Sequence, residues 1–368
     1  MKIAILAGAD SIHSWRWVEY LARRGYAIHW ISLVPFAAPS PVNVRTYEVG
    51  AYPKSIVAVL RIALRIRQIL REARPHLFHI HSFGTYGLIG ALTGFHPLVI
   101  TAWGSDILLA PSSPLKRWLT KFALRCADTI TCDAYHMRDT MVNLGTDATK
   151  IEVVYFGTDT LKFRPCLDGA QVQKRFEIGD SSVILSTRRL EPVYDVVSLV
   201  RAFPLVLQKV PEARCVIVGD GSERQGLMAL AEELGVAGRV HFAGSVSGDD
   251  MPHYLAAADI YVSTSLSDAG LAASTAEAMA CGLPVIVTDS GENRSWAEDS
   301  VGGFVVPVQN PEVLADKIIY LARYPDTRKR FGAYNRPIIE ECNNYYVEMQ
   351  KIERLYERVA HGFEVVTC

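Results

Sequence analysis

In "SDAGLAASTAEAMACGLPVIVTDSGENRSW" (267–296) an acid, Glu277, stands among small uncharged residues, after a glycine-containing loop and before an apolar run. "EAMACG" lies one turn into an expected helix, and the preceding "DAGLAAS" wraps the N-terminus of that helix. The first N–H groups of a helix have no intrahelical partner, and with the helix dipole they make a site for an anion such as a pyrophosphate. Small side chains let a phosphate approach the backbone. Glu277 repels a phosphate, so its expected place is the rim of the site, accepting hydrogen bonds from neutral hydroxyls. The plain structural alternative is a carboxylate that complements the helix dipole.

Other residues carry chemistry at strand ends. "STRRLEPVYDV" places Arg188 and Arg189 after an apolar run; neighbours on a strand point to opposite faces, and a surface pair with Glu191 is the alternative. In "TAWGSD" Asp106 follows the carboxyl end of a strand. It can orient a bound hydroxyl, take its proton, or simply form the turn. His13 in "GADSIHSWRW" can contact a ligand or cap a helix. His79 and His81 in "HIHS" face the same side of a strand. They lack Cys or acidic companions at ligand spacing, so no metal site is expected; His81, at the strand end, is the site candidate.

The elements that must hold these residues alternate along the chain. "KIAILAG", "AIHWISL", "LFHIHS", "LVITAW", "DTITC" and "IEVVY" read as strands, with helices over 14–24 and 55–73 among them. The alternation breaks in the turn-rich "FGTDTLKFRPCLDG" (156–169) and restarts with "SVILST", "ARCVIVG", "RVHFAG", "DIYVST", "PVIVT" and "GFVVP". Helices are expected between them at 195–208, 222–234, 249–256, from about 272, and at 311–323. Strands alternating with helices imply βαβ units on parallel sheets. Ligands of such sheets sit beyond the carboxyl ends of the strands. The expected division is 1–165, 166–345, and a terminal helix and tail over 346–368 that returns to the first domain.

The order and spacing of "RRLEP", "VGDGSER", "FAG", "AADIYVSTS" and "EAMACGLPVIVTDSGENR" resemble glycosyltransferase family 4, the retaining nucleotide-sugar transferases. The resemblance covers nearly the whole chain and is strongest over 183–310. It implies a GT-B fold, two Rossmann-like doubly wound α/β domains facing a central cleft. It implies an acceptor-binding first domain and a second domain that binds a nucleoside-diphosphate sugar, UDP- or GDP-linked, with no cofactor and no metal. By the same resemblance Glu277 holds the ribose hydroxyls, Arg189 carries leaving-group charge, and Gly270, Leu271 and Ala272 belong to the loop at the donor. Gly8 matches a glycine loop that approaches the donor phosphate, and His13, His81 and Trp103 stand at the acceptor.

Three positions depart from the family pattern. A second glutamate is expected eight residues before Glu277; position 269 is Ala, and Asp268 is the nearest acid. A lysine is expected five residues after Arg189; position 194 is Tyr, which donates a neutral hydrogen bond but cannot neutralise charge, and Arg188 is the residue that could supply the missing charge, although strand alternation would turn it to the opposite face. Trp103 stands where many members have histidine. Two rivals stay open: a nucleotide-sugar 2-epimerase of the same fold, whose expected acid and base groups are not evident here, and a non-catalytic nucleotide-sugar binding protein, which Tyr194 and Ala269 support best.

Charge is uneven. Residues 1–165 hold 19 Lys and Arg against 11 Asp and Glu, a net +8, and 166–368 hold 19 against 28, a net −9. The basic residues include Lys54, Arg61, Arg65, Arg67, Arg71, Lys116, Arg117 and Lys121 on amphipathic stretches, with Trp118 and Phe122 in the second. Such helices either cover a sheet with a solvated outer face or lie on an anionic membrane. No nucleic-acid motif accompanies them. Seven cysteines are scattered singly, which points away from a disulfide framework and toward a reducing cytoplasm. A contact with the inner membrane face is a further expectation. The expected acceptor is a glycan, a lipid-linked molecule or a small molecule.

Overall fold

A computed structural model describes residues 1–108, 113–179, 181–268 and 270–364. The chain divides into two compact units, Met1–Phe156 with Val347–Cys368, and Gly157–Tyr346. The first boundary therefore lies before the turn-rich stretch at 157–169, nine residues ahead of the expected 165. The terminal segment belongs with the first unit.

The first unit is a seven-stranded sheet built from β1 (Lys2–Leu6), β2 (Ala27–Ser32), β3 (Val44–Glu48), β4 (Leu77–His81), β5 (Leu98–Thr101), β6 (Thr129–Cys132) and β7 (Ile151–Val153). Its order is β3-β2-β1-β4-β5-β6-β7, and every pairing is parallel. Strands covered on both faces need apolar residues at successive positions, which is why β1, β4 and β5 are buried almost throughout. Helix Ile12–Arg23 starts on Ser11, whose side chain accepts the N–H of Ser14. Helix Ile56–Ala73 starts on Ser55 in the same way and buries Val59, Ile62, Ala63, Ile66, Ile69, Leu70 and Ala73. That spacing of three and four makes one apolar stripe against the sheet.

The terminal helix, Tyr345–Glu364, is fastened to this unit by polar groups in its core. The Tyr356 hydroxyl lies 2.6 Å from Nδ1 of His79 and accepts the indole N–H of Trp17 at 3.1 Å. His79 Nε2 lies 2.7 Å from the Thr101 hydroxyl, which in turn contacts Thr131 at 2.6 Å. Glu353 accepts from Arg24 and Tyr20 at 2.9 and 3.2 Å.

The second unit holds six strands: β8 (Val183–Ser186), β9 (Arg214–Val218), β10 (Val240–Gly244), β11 (Ile260–Ser263), β12 (Val285–Thr288) and β13 (Gly303–Val306). Their order is β10-β9-β8-β11-β12-β13, again all parallel. Strand order reverses between β1 and β4 in the first unit and between β8 and β11 in the second. Each reversal opens a crevice at the carboxyl ends of the two strands, where doubly wound sheets bind ligands.

Several elements escape a reading by periodicity, β3 and helix Pro325–Cys342 among them. β3 is a half-exposed edge strand. Helix Pro325–Cys342 carries Pro337 inside it, and it packs on helix Ala273–Ala280. Among the described residues no helix is long and apolar enough to cross a membrane.

Candidate active site

In the second unit the crevice lies between the segment after β8 and the segment after β11. Helix Ala273–Ala280 begins there with Ala272 as its N-cap and no side chain capping it. Its first backbone N–H groups therefore face the crevice without intrahelical partners. Its far end is fixed. Gly282 adopts φ 77° just beyond the helix, the left-handed conformation in which glycine is favoured. Arg336 of helix Pro325–Cys342 donates to the carbonyls of Ala280, Phe163 and Thr160 at 2.6, 2.5 and 3.0 Å. Gly332 lets that helix come close: a Cβ there would stand 1.8 Å from the Gly282 carbonyl. Asn335 donates to the carbonyls of Leu283 and Gly302 at 2.8 and 2.7 Å. These are positioning residues that the sequence reading did not single out.

Glu277 sits half-buried on the fifth residue of the helix, one turn from the free N–H groups, at the rim. Gly270, Leu271 and Ala272 precede the helix, with Ala272 as its N-cap; Ala269 lies outside the described residues. Asp268 points into the crevice with 7 % of its side chain exposed and binds Arg188 at 2.5 Å.

The two arginines differ. Arg188 is 10 % exposed, donates to Ser274 at 3.2 Å and lies with Cζ 4.4 Å above the Tyr194 ring. Arg189 is 73 % exposed and stands 3.6 Å from Glu191. The Glu191 carboxylate is itself held by the Ser222 hydroxyl at 2.6 Å. The sequence reading placed the cation of the site at Arg189; the buried member of the pair is Arg188. Both line a pocket of about 430 Å³ with Thr187, Gly219, Asp220 and Ser245. The "VGDG" turn closes its side. A Cβ at Gly219 would meet the Arg188 carbonyl at 2.3 Å, and one at Gly221 the Leu190 carbonyl at 2.3 Å, so both positions exclude side chains. Tyr194 is tied to the opposite wall through its carbonyl, which accepts from Thr264 at 2.9 Å.

In the first unit the crevice between β1 and β4 gathers Gly8, His13, His81 and, from the end of β5, Trp103. Trp103 stacks on Phe156 with centroids 4.7 Å apart. His13 stacks on Phe156 at 5.2 Å and meets Trp103 at 5.3 Å. His81 lies behind them, 5.3 Å from Trp103, with Nδ1 3.4 Å from the Ser14 hydroxyl. Its Nε2 is buried without a partner among the described residues. Burial, then the charge of His13, pushes the His81 imidazole down to about 3. Burial, then His81, holds His79 well below the ordinary range. Both rings are neutral at neutral pH. Gly8 leaves room for the loop after β1, where a Cβ would stand 2.6 Å from the Asp10 carboxylate.

Asp106 is turned inward. Its Oδ2 accepts the N–H of Phe83 at 2.8 Å and its Oδ1 that of Trp103 at 3.0 Å. Burial raises its pKa against the opposing effect of these bonds. One carboxylate thus joins the loops after β4 and β5, an arrangement that orients Trp103 and leaves neither oxygen idle. Among the described residues no group of three His, Cys, Asp or Glu side chains could hold a metal ion.

The buried histidines predict a pH dependence. In the unfolded chain each titrates near about 6.5. The folded chain keeps His81 unprotonated down to about 3. Between these values the unfolded state binds more protons, so stability rises with pH and is lost as pH falls, by up to about 1.4 kcal/mol per pH unit per histidine. The raised Asp106 works in the opposite sense. Urea unfolding across about pH 5 to 6.5 is therefore the measurement, and His81→Gln should flatten the slope. A slope unchanged by that substitution would contradict the burial of a neutral His81.

Comparison with known proteins agrees with this architecture. Residues 170–337 match the family model "Glycosyl transferases group 1", and residues 2–134 match "Glycosyl transferase 4-like". The chain is 33% identical over 307 residues to the GDP-mannose-dependent monoacylated alpha-(1-6)-phosphatidylinositol monomannoside mannosyltransferase of Corynebacterium glutamicum, covering 80% of each chain. It is 26% identical over 365 residues to the N-acetyl-alpha-D-glucosaminyl L-malate synthase of Bacillus anthracis, covering 93% of this chain and 90% of that one. The crystal structure of Anabaena Alr3699/HepE in complex with UDP superposes with a TM-score of 0.83 at 20% identity, over 97% of this chain and 100% of that one. With these matches across both units, the chain belongs to glycosyltransferase family 4, the GT-B enzymes that transfer sugars from nucleotide sugars.

Proposed function

We propose that the β8–β11 crevice holds the diphosphate of a UDP- or GDP-sugar and that the chain moves the sugar, with retention, to an acceptor hydroxyl. The observation that carries this is the uncapped N-terminus of helix Ala273–Ala280, facing a crevice that also holds a buried arginine. Backbone N–H groups and a fixed cation aimed at developing negative charge stabilise a transition state strongly, because they need no reorganisation. The bond from the sugar's anomeric carbon to the diphosphate oxygen breaks, and its electron pair stays on the diphosphate. The acceptor oxygen forms the new bond on the same face and gives its proton to a diphosphate oxygen.

Glu277 accepts hydrogen bonds from the ribose hydroxyls, and the pocket beside Gly219 and Ser245 receives the nucleoside. Among relatives, one is named for GDP-mannose and one structure contains UDP, so both bases are candidates here. Two relatives act on unlike acceptors, a monoacylated phosphatidylinositol mannoside and L-malate by their names. The acceptor is assigned by class: a glycan, a lipid-linked molecule or a small hydroxy compound, held in the first unit near His13, His81 and Trp103. Asp106 serves there as a positioning residue.

Membrane association is part of the same reading, in a cytoplasmic chain. Helices Ile56–Ala73 and Pro114–Cys126 both pack on helix Thr85–Leu92. They expose Ile56, Val57, Leu60, Leu64, Leu115 and Trp118 beside Arg61, Arg65, Lys116 and Arg117. Apolar residues outward among basic ones suit an anionic lipid surface.

Glu277→Ala should weaken binding of UDP- or GDP-sugar about 10- to 150-fold, the value of one charge-assisted hydrogen bond of about 1.5–3 kcal/mol. Calorimetric titration checks this, and unchanged affinity for both would remove Glu277 from the site. Sedimentation with vesicles tests the surface. Binding to anionic vesicles is expected to fall with salt and with Leu64→Ser and Trp118→Ser. Equal, negligible binding to anionic and neutral vesicles would leave these helices as solvated faces.

A further inference from the structure

Three buried polar atoms at the start of helix Ala273–Ala280 have no partner among the described residues: Nε of Arg188, Oδ2 of Asp268 and Oγ1 of Thr275. Unpaired buried polar atoms are costly to a fold. The Arg188 and Asp268 atoms lie together beside an open helix N-terminus, with Arg188 joined to Ser274 of its first turn, which makes a site built for something polar.

The cation of this cluster is Arg188. It is held on three sides: by the Asp268 carboxylate at 2.5 Å, by the Ser274 hydroxyl at 3.2 Å, and by the Tyr194 ring beneath it at 4.4 Å. Guanidinium groups stack well on aromatic faces. Tyr194 occupies the position at which the family pattern calls for a lysine. A lysine there would put a second positive charge against the Arg188 guanidinium, whereas a tyrosine ring supports it. Asp268 is an anion standing beside an anion site, with one oxygen engaged and one idle.

Resting on the reading of this crevice as a diphosphate site, we propose that Arg188, carried on Tyr194, replaces the absent lysine as the cation for the leaving diphosphate. Asp268 is its resting counter-ion, which the diphosphate displaces. Arg188 is then the catalytic cation, and Tyr194 is a positioning residue that acts through its ring rather than its hydroxyl. Asp268, once displaced, has both oxygens free to accept from hydroxyls of the donor sugar. Its charge opposes diphosphate binding until the carboxylate is displaced.

The test is the affinity of the full chain for UDP against UMP, with GDP and GMP in parallel, in Arg188→Ala, Arg188→Lys, Arg189→Ala, Tyr194→Phe and Asp268→Asn. The readout is the preference for diphosphate over monophosphate. Arg188→Ala should reduce it about tenfold or more, with turnover falling about 10²–10³-fold. Arg189→Ala and Tyr194→Phe should leave it nearly unchanged, and Arg188→Lys should retain part of it. Asp268→Asn should increase it, because a like charge is removed; a merely structural Asp268 would lower binding of all four nucleotides together. Should Arg188→Ala fail to fold, the sign of the Asp268→Asn effect decides. A preference that survives Arg188→Ala but collapses in Arg189→Ala overturns this proposal and leaves the diphosphate site standing. Wild-type chain that binds none of the four nucleotides overturns both.

Discussion

The proposed donor crevice of the second unit depends on one unsatisfied helix end. Helix Ala273–Ala280 starts without a side-chain cap, so its N–H groups and the positive end of its dipole face a crevice rather than a serine or aspartate. Leaving such groups open destabilises a fold by the worth of the missing cap, about 0.5–2 kcal/mol. The surroundings offset this by fixing the other end. Arg336 donates to the Ala280 carbonyl, Gly282 turns the chain away, and the close approach allowed by Gly332 lets helix Pro325–Cys342 lie along it. The loop after β11 is stitched in turn: Thr264 donates to the Tyr194 carbonyl at 2.9 Å, and Thr288 to that of Ser265 at 2.5 Å. A donor group held this firmly can act on charge that appears only in the transition state.

The first unit solves a different problem, keeping a polar core neutral. His79 and His81 sit in the middle of a parallel sheet and are both held unprotonated. His79 is satisfied by Tyr356 and Thr101. The terminal helix therefore supplies a hydrogen-bond partner as well as apolar area. In front of them His13, Trp103 and Phe156 form a compact aromatic group, aligned by the two backbone bonds of Asp106. The surface is mostly apolar, with a polar edge at His13.

Sequence made some of this legible and hid the rest for identifiable reasons. The parallel sheets, the helix at 273–280 and the place of Glu277 follow from apolar runs, small residues and a glycine stop. β3 was missed because it is a half-exposed edge strand with few apolar residues. Helix Pro325–Cys342 was missed because Gly332, Asn335 and Pro337 read as breakers, although Gly332 and Asn335 are there to contact the neighbouring backbone. The choice between Arg188 and Arg189 could not follow from strand alternation. β8 ends at Ser186, and beyond it the chain no longer obeys a two-residue period. Asp106 was recognised as a strand-end acid, but only the fold reveals that both its oxygens are engaged.

The central claim is that the open end of helix Ala273–Ala280 is the diphosphate site. A crystal structure of the chain with UDP or GDP tests it most directly. The account predicts phosphate oxygens within hydrogen-bond distance of the first N–H groups of that helix and of the Arg188 guanidinium, with the ribose at Glu277. Phosphates bound elsewhere, with the Arg188–Asp268 pair intact and the helix start still open, would contradict it.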